Sequence, residues 1–167
     1  MKDVILSIGS NLGNRIEFLK SSIKNIRLLA NTTIANISDV YETEPIGVSK
    51  QGNYLNCIVY LKTDLSPYDL LTEINGIEKM YKRERMIKWG PRTLDIDIID
   101  YDNKTVNTKQ LTLPHPRMHK RRFVLLPMTE INPDYIHPIY RISLFTMLEQ
   151  TEKQKCVKMN MENWYNE

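Results

Sequence analysis

The feature that most constrains the fold is the segment Tyr54–Thr63. In it Leu55, Cys57, Val59 and Leu61 alternate with Tyr54, Asn56, Ile58 and Tyr60. A period of two sends the first four to one face of a strand and the others to the opposite face. The segments on either side have a helical period instead. Ile16, Leu19, Ile23, Ile26 and Leu29 recur every three or four residues behind Asn14, a residue suited to capping a helix N-terminus. After Ser66-Pro67, a cap residue followed by proline at the first helical position, Leu70, Ile74, Ile77 and Tyr81 form a second stripe, with Asn75 and Glu78 on a neighbouring one.

Three further strands are predicted at Val4–Ile8, at the β-branched stretch Thr32–Thr43 and at Leu94–Tyr101. The order is β-α-β-β-α-β. This is an α+β, ferredoxin-like arrangement, an antiparallel sheet with helices on one face. The remainder forms a C-terminal extension, with a hairpin turn at Asp102-Asn103 and helices beginning near Arg122–Met128 and Leu144–Gln150. The polar stretch 151–167 reads as a frayed tail or a linker cut from a longer chain, and 1–167 as one domain. Segments 44–52 and 82–92 read as mobile loops; from Lys79 to Arg92 there are six basic residues and one acid.

Charge and composition narrow the function. A net charge of +3 suits an anionic small molecule and falls short of the basic bias of a nucleic-acid binder. No signal peptide is visible and no apolar stretch is long enough to span a membrane, so a cytoplasmic protein is expected. Cys57 and Cys156 lack metal-ligand spacing and are expected to be free thiols.

The residues that suggest chemistry lie in Leu94-Asp95-Ile96-Asp97-Ile98. Alternation puts the apolar residues on the core face and Asp95 and Asp97 on the other, roughly 6–7 Å apart at Cα. Side-by-side carboxylates repel each other unless a cation lies between them, and hard oxygen donors favour magnesium. A solvated strand face is the plain alternative, because the pattern is short. Arg83, Arg85 and Arg92 precede the pair, and arginine forks match phosphate oxygens. A second basic cluster, Arg117 to Arg122, follows Leu113-Pro114-His115-Pro116, where the prolines hold His115 in an extended segment. Tyr54 and Asn56 share the open side with the aspartates if the helices cover the Leu55/Val59 face, and an aromatic ring beside an amide suits a flat heterocycle. Neither a Walker-type phosphate loop nor a dinucleotide fingerprint is present, and Gly9–Asn14 reads as turn chemistry.

The run Lys88-Trp89-Gly90-Pro91-Arg92-Thr93-Leu94-Asp95-Ile96-Asp97-Ile98-Ile99 resembles the signature of the 6-hydroxymethyl-7,8-dihydropterin pyrophosphokinases of folate biosynthesis. Ile8-Gly9-Ser10-Asn11-Leu12-Gly13, Tyr54-Leu55-Asn56 and Leu113-Pro114-His115-Pro116 match the same family in the expected order, and the resemblance spans about residues 4 to 145. It implies transfer of pyrophosphate from ATP to the pterin hydroxymethyl oxygen, with release of AMP. It implies that Asp95 and Asp97 ligate two magnesium ions, and that Arg83 and Arg92 assist the transfer. Glu78, Arg85, Trp89, Ile98, Thr112, His115 and Arg121 fall where the family binds nucleotide. Thr43, Ile46, Gly47, Tyr54, Asn56 and Phe123 fall where it holds the pterin, with Tyr54 and Phe123 enclosing the ring. The chain departs from the family pattern in a shorter loop before Trp89 and in Gln110, Asn75 and Glu44.

On this reading the partners are ATP and a dihydropterin alcohol, with neither nucleic acid nor membrane, and fusion or coupling to other folate enzymes stays open. Two rival functions remain at this point. One is a ferredoxin-like RNA-binding module using the open sheet face, and the other is a metal-dependent phosphohydrolase.

Overall fold

The computed structural model describes residues 1–45, 51–81, 93–161 and 163–166. In chain order the elements are β1 (Lys2–Ser10), α1 (Arg15–Arg27), β2 (Thr32–Ile37), β3 (Tyr41–Thr43), β4 (Tyr54–Thr63), α2 (Pro67–Met80), β5 (Asp95–Tyr101), β6 (Val106–Asn107), β7 (Thr112–Leu113), α3 (Arg122–Ile131), α4 (Leu144–Glu149) and β8 (Cys156–Lys158). The main sheet has the order β5-β1-β4-β3-β8, with β2 also paired to β4, and its pairings are antiparallel. The ferredoxin-like core is therefore present, with β1 and β4 at its centre.

Asn14 caps α1 and Ser66 caps α2, each side chain accepting a backbone N–H of the first turn. The stripe of α1 (Leu19, Ile23, Ile26) and that of α2 (Leu70, Ile74, Ile77) pack on Val4, Leu6 and Ile8 of β1, on Leu55, Cys57, Val59 and Leu61 of β4, and on Ile96 and Ile98 of β5. Each fully buried aliphatic side chain contributes on the order of 1.5–3 kcal/mol.

The other face is less open than the sequence suggests. Ile5, Ile58 and Ile99 are covered by Val124, Leu125 and Met128 of α3 and by Leu144 and Met147 of α4. The helices thus lie on both faces. Among the described residues, the part of the second face that α3 and α4 cover is centred on Ile5, Ile58 and Ile99, away from the end where β1 finishes and β5 begins.

The predicted strand 32–43 is split into β2 and β3, with Ser38 between them bonded in both directions to Ile58. Asp102 and Asn103 do form a turn, both with positive φ, but β6 beyond it pairs with β7 and makes no hairpin with β5. The polar tail is built into the fold. β8 pairs with β3, and Trp164 is buried with its Nε1–H donated to the Ser38 carbonyl at 3.1 Å. Strand pairing and one large aromatic anchor this segment despite its polar composition.

Candidate functional site

The site is assembled on three strands whose register sets who faces whom. Asn56 of β4 and Asp95 of β5 both pair with Gly9 of β1, and one step along, Ile58 and Asp97 both pair with Ser7. Asn56, Gly9 and Asp95 therefore form one row across the sheet. Its outer members are about 10 Å apart, two inter-strand spacings. A Cβ at Gly9 would stand 2.8 Å from Asn56 Oδ1 and 3.7 Å from the Tyr54 ring. The glycine is what lets the Asn56 amide lie over the middle strand, and the turn reading of Gly9–Asn14 missed this role.

Asn56 is buried, and its Nδ2 donates to Thr43 Oγ1 at 2.7 Å. Phe123 and Thr43 line a small cavity of about 170 Å³ together with Glu44 and Arg122. The Arg121 guanidinium lies 5.4 Å from the Phe123 ring centre, a cation–π contact. Asn56 and Tyr54 thus come together over Gly9, with Thr43 bonded to Asn56, while Phe123 approaches from α3. Glu44 pairs with Lys155 at 3.0 Å, which gives the acidic replacement a partner.

On the β5 side, the carboxylate of Asp97 is 3.5 Å from Arg121 Nη1 and 3.8 Å from His115 Nε2. A β-bulge between β1 and β5 leaves Ile99 without a Cα partner on β1, and its carbonyl accepts the His115 N–H at 2.8 Å. This bond delivers the proline-flanked histidine to the aspartate. His115 Nδ1 accepts the Arg117 N–H at 3.1 Å, so the ring proton of the neutral form sits on Nε2, facing the site. Burial, then the nearby Arg121 and Arg117 charges, pull the His115 pKa down to about 4. It is a neutral donor at physiological pH.

Among the described residues β5 is the edge of the sheet, with no strand paired to its outward side. Glu78 of α2 is buried and accepts the Ile96 N–H at 2.7 Å. By strand alternation the next outward main-chain groups belong to Ile98. They face a cleft of about 660 Å³ lined by Glu78, Ile98, Thr112, His115, Asp97 and also Asn75 and Gln110. Five of the predicted nucleotide and metal residues therefore meet in one cleft. Asn75 and Gln110 line it too, although their side chains differ from the family pattern.

Arg83, Arg85, Trp89, Arg92, Ile46 and Gly47 lie outside the described residues. At the two ends of the arginine-bearing segment, the Thr93 hydroxyl donates to the Tyr81 carbonyl at 2.6 Å.

The donor set fits magnesium. Asp95 and Asp97 supply hard oxygens from one strand face, and among the described residues no group of three or more His, Cys, Asp or Glu forms a self-contained metal cage. A cation that takes the rest of its shell from phosphate and water needs no more than this.

Fold and site define a ferredoxin-like α+β domain with a carboxylate-bearing cleft at the edge of its sheet. The sequence model of the 7,8-dihydro-6-hydroxymethylpterin-pyrophosphokinase family matches residues 5–133, and the chain belongs to that family. The 2-amino-4-hydroxy-6-hydroxymethyldihydropteridine pyrophosphokinase of Aquifex aeolicus is 43% identical over 141 residues, covering 84% of this chain and 87% of the relative. That of Haemophilus influenzae is 37% identical, covering 93% of this chain and 96% of the relative. Among solved structures, wild-type Plasmodium falciparum HPPK-DHPS with pteroate superposes with a TM-score of 0.72 at 15% identity, over 89% of this chain and 42% of that one. At that identity the likeness is one of fold, and this chain spans under half of the Plasmodium protein. No helix among the described residues is long and apolar enough to cross a membrane.

Proposed function

We propose that the protein transfers a pyrophosphoryl group from ATP to the hydroxymethyl oxygen of 6-hydroxymethyl-7,8-dihydropterin and releases AMP, a step in folate biosynthesis. The observation that carries this reading is the Asn56–Gly9–Asp95 row. It sets a polar pocket suited to a heterocycle across one intervening strand from carboxylates suited to a metal–triphosphate.

In the reaction the pterin oxygen bonds to the β-phosphorus of ATP, and the bond from that phosphorus to the α–β bridging oxygen breaks. The hydroxyl proton passes to solvent and AMP carries away the bridging oxygen. Asp95 and Asp97 would hold magnesium, two ions on this reading, which when bound neutralises triphosphate charge and polarises the reacting phosphorus–oxygen bonds. Arg121 and the neutral His115 donate to phosphate oxygens beside Asp97. Glu78, Ile98 and Thr112 hold the nucleoside end in the cleft. Arg83 and Arg92 stabilise charge on the transferring group, and Arg85 and Trp89 cover the nucleotide. Thr43 and Asn56 read the hydrogen-bonding edge of the pterin, Tyr54 and Phe123 flank its ring, and Ile46 and Gly47 complete the pocket.

The RNA-binding rival needs an exposed stacking surface on the sheet. Here that face carries α3 and α4 over Ile5, Ile58 and Ile99. A phosphohydrolase has no use for the Thr43–Asn56 pocket. The chain acts as one pyrophosphokinase domain, and joining to a second folate enzyme is in keeping with relatives such as the Plasmodium HPPK-DHPS protein.

Asp97→Ala tests the assignment. It should abolish AMP formation from ATP and the pterin alcohol while the circular-dichroism spectrum stays that of the wild type. Near-normal turnover in a folded variant sinks the two-aspartate mechanism.

A further inference from the structure

Arg15, the first residue of α1, lies outside every group of residues assigned above, yet its contacts converge on the acceptor pocket. A single guanidinium nitrogen, Nη1, donates to Glu42 Oε1 at 2.9 Å and to the Asn53 carbonyl at 2.7 Å. Glu42 belongs to β3 and Asn53 immediately precedes β4. The β3–β4 ladder ends at the pair Thr43–Tyr54. Arg15 therefore ties Glu42 of β3 to Asn53, the residue just before β4, at the end of their pairing.

Four residues earlier, Asn11 is buried and acts on the same region. Its Nδ2 donates to Gln51 Oε1 at 3.1 Å and to the Gly52 carbonyl at 3.2 Å. The turn from β1 into α1 sets both groups. Gly13 has φ +69°, a conformation that suits glycine, and a Cβ there would also stand 3.1 Å from the Phe18 ring.

We propose that Arg15, assisted by Asn11, is a positioning residue for the pterin. It fixes the β3–β4 end so that Thr43, Tyr54 and Asn56 hold their spacing. The chain of contacts is short. Arg15 holds Glu42 and Asn53, these are neighbours in sequence of Thr43 and Tyr54, and Thr43 Oγ1 accepts the Asn56 amide. The Arg15 and Glu42 side chains are each 32% exposed, so the ion pair adds little to overall stability and its consequence falls on local geometry. The nucleotide cleft lies on β5, on the far side of β1 from β3, and none of these contacts reaches it.

The inference rests on the pterin reading of this pocket, and the test separates the two. Steady-state kinetics are measured with ATP and the pterin alcohol varied in turn, alongside melting temperatures. Asn56→Ala serves as the control for the pocket itself and should raise the pterin KM. Arg15→Ala should raise the pterin KM about ten-fold, the scale of losing one charge-assisted hydrogen bond, and leave the ATP KM within about two-fold. Arg15→Lys should recover part of the loss, because an ammonium restores a donor but lacks the planar fork. Glu42→Ala should show a smaller rise, about three-fold, because the Asn53 contact survives; it also carries the test should Arg15→Ala fail to fold. A normal pterin KM in Arg15→Ala, or equal rises for ATP and pterin, overturns the positioning role, as does a normal pterin KM in Glu42→Ala. A normal pterin KM in Asn56→Ala overturns the pocket reading instead.

Discussion

Replacing Gly9 by alanine puts a methyl group where the structure has no room for it. The new Cβ would stand 2.8 Å from Asn56 Oδ1, closer than side-chain atoms tolerate, and 3.7 Å from the Tyr54 ring. Gly9 lies mid-sheet with β4 and β5 on either side, so the backbone is held and Asn56 has to move. Rotating it breaks the buried 2.7 Å bond to Thr43 Oγ1. Leaving buried polar partners unsatisfied costs about 1–3 kcal/mol. If this falls on substrate recognition, pterin affinity drops about 5- to 150-fold. If it falls on the fold, the melting temperature drops by about 2–12 °C. Calorimetric titration of the variant with the pterin and, separately, with an ATP analogue distinguishes the outcomes. Pterin binding should weaken and nucleotide binding should hold, because the cleft on β5 makes no contact with this methyl group. The double variant Gly9→Ala/Asn56→Ala should lose less than the sum of its parts, since removing the amide removes the clash. Unchanged pterin affinity and melting temperature, or strict additivity, refutes the reasoning.

Asp100 is buried, and burial raises its pKa above the ordinary carboxylate value even though the Tyr135 hydroxyl and the Asn103 N–H both donate to it. A raised folded-state pKa means that stability is lost as pH rises from the unfolded value of 3.8 through the folded one. Asp100→Asn should remove that loss, so its melting temperature should gain on the wild type as pH goes from about 4 to 7; a gap independent of pH contradicts this. Glu78→Ala leaves the buried Ile96 N–H without its acceptor and should raise the ATP KM while sparing the pterin KM. Equal effects on both substrates would contradict the placement of Glu78 at the nucleotide. Trp164→Ala should cost about 3–5 kcal/mol, the usual loss for a buried tryptophan, and thermal denaturation reads it directly. A melting temperature like that of the wild type would mean that the C-terminal segment is not part of the core.

Much of this was legible in the sequence because short-range patterns carry it. Alternation in Tyr54–Thr63 and the two helical stripes sufficed for β4, α1 and α2, and the capping residues Asn14 and Ser66 stand where they were read. Period alone puts the aspartate pair on one face of β5 and Asn56 and Tyr54 on one face of β4; their sharing a side follows only if the helices cover the Leu55/Val59 face, as they do. What period cannot convey is register and long-range cover. That Gly9 lies between Asn56 and Asp95 depends on two pairings between distant segments. That α3 and α4 cover the second face depends on where the extension packs, which a run such as Phe123–Met128 does not encode. The tail misled for a related reason. Its polar composition suggests fraying, whereas its order comes from pairing with β3 and from Trp164. No short-range pattern singles out Arg15, because both of its partners come from distant segments.

The most direct measurement is the identity of the products. The protein is incubated with ATP, magnesium and 6-hydroxymethyl-7,8-dihydropterin, and nucleotides and pterins are separated by chromatography. AMP and a pterin carrying two phosphates should form in equal amounts, with neither formed when the pterin is omitted. ADP with a monophosphorylated pterin, or AMP and free pyrophosphate without any pterin product, would contradict pyrophosphoryl transfer to the pterin.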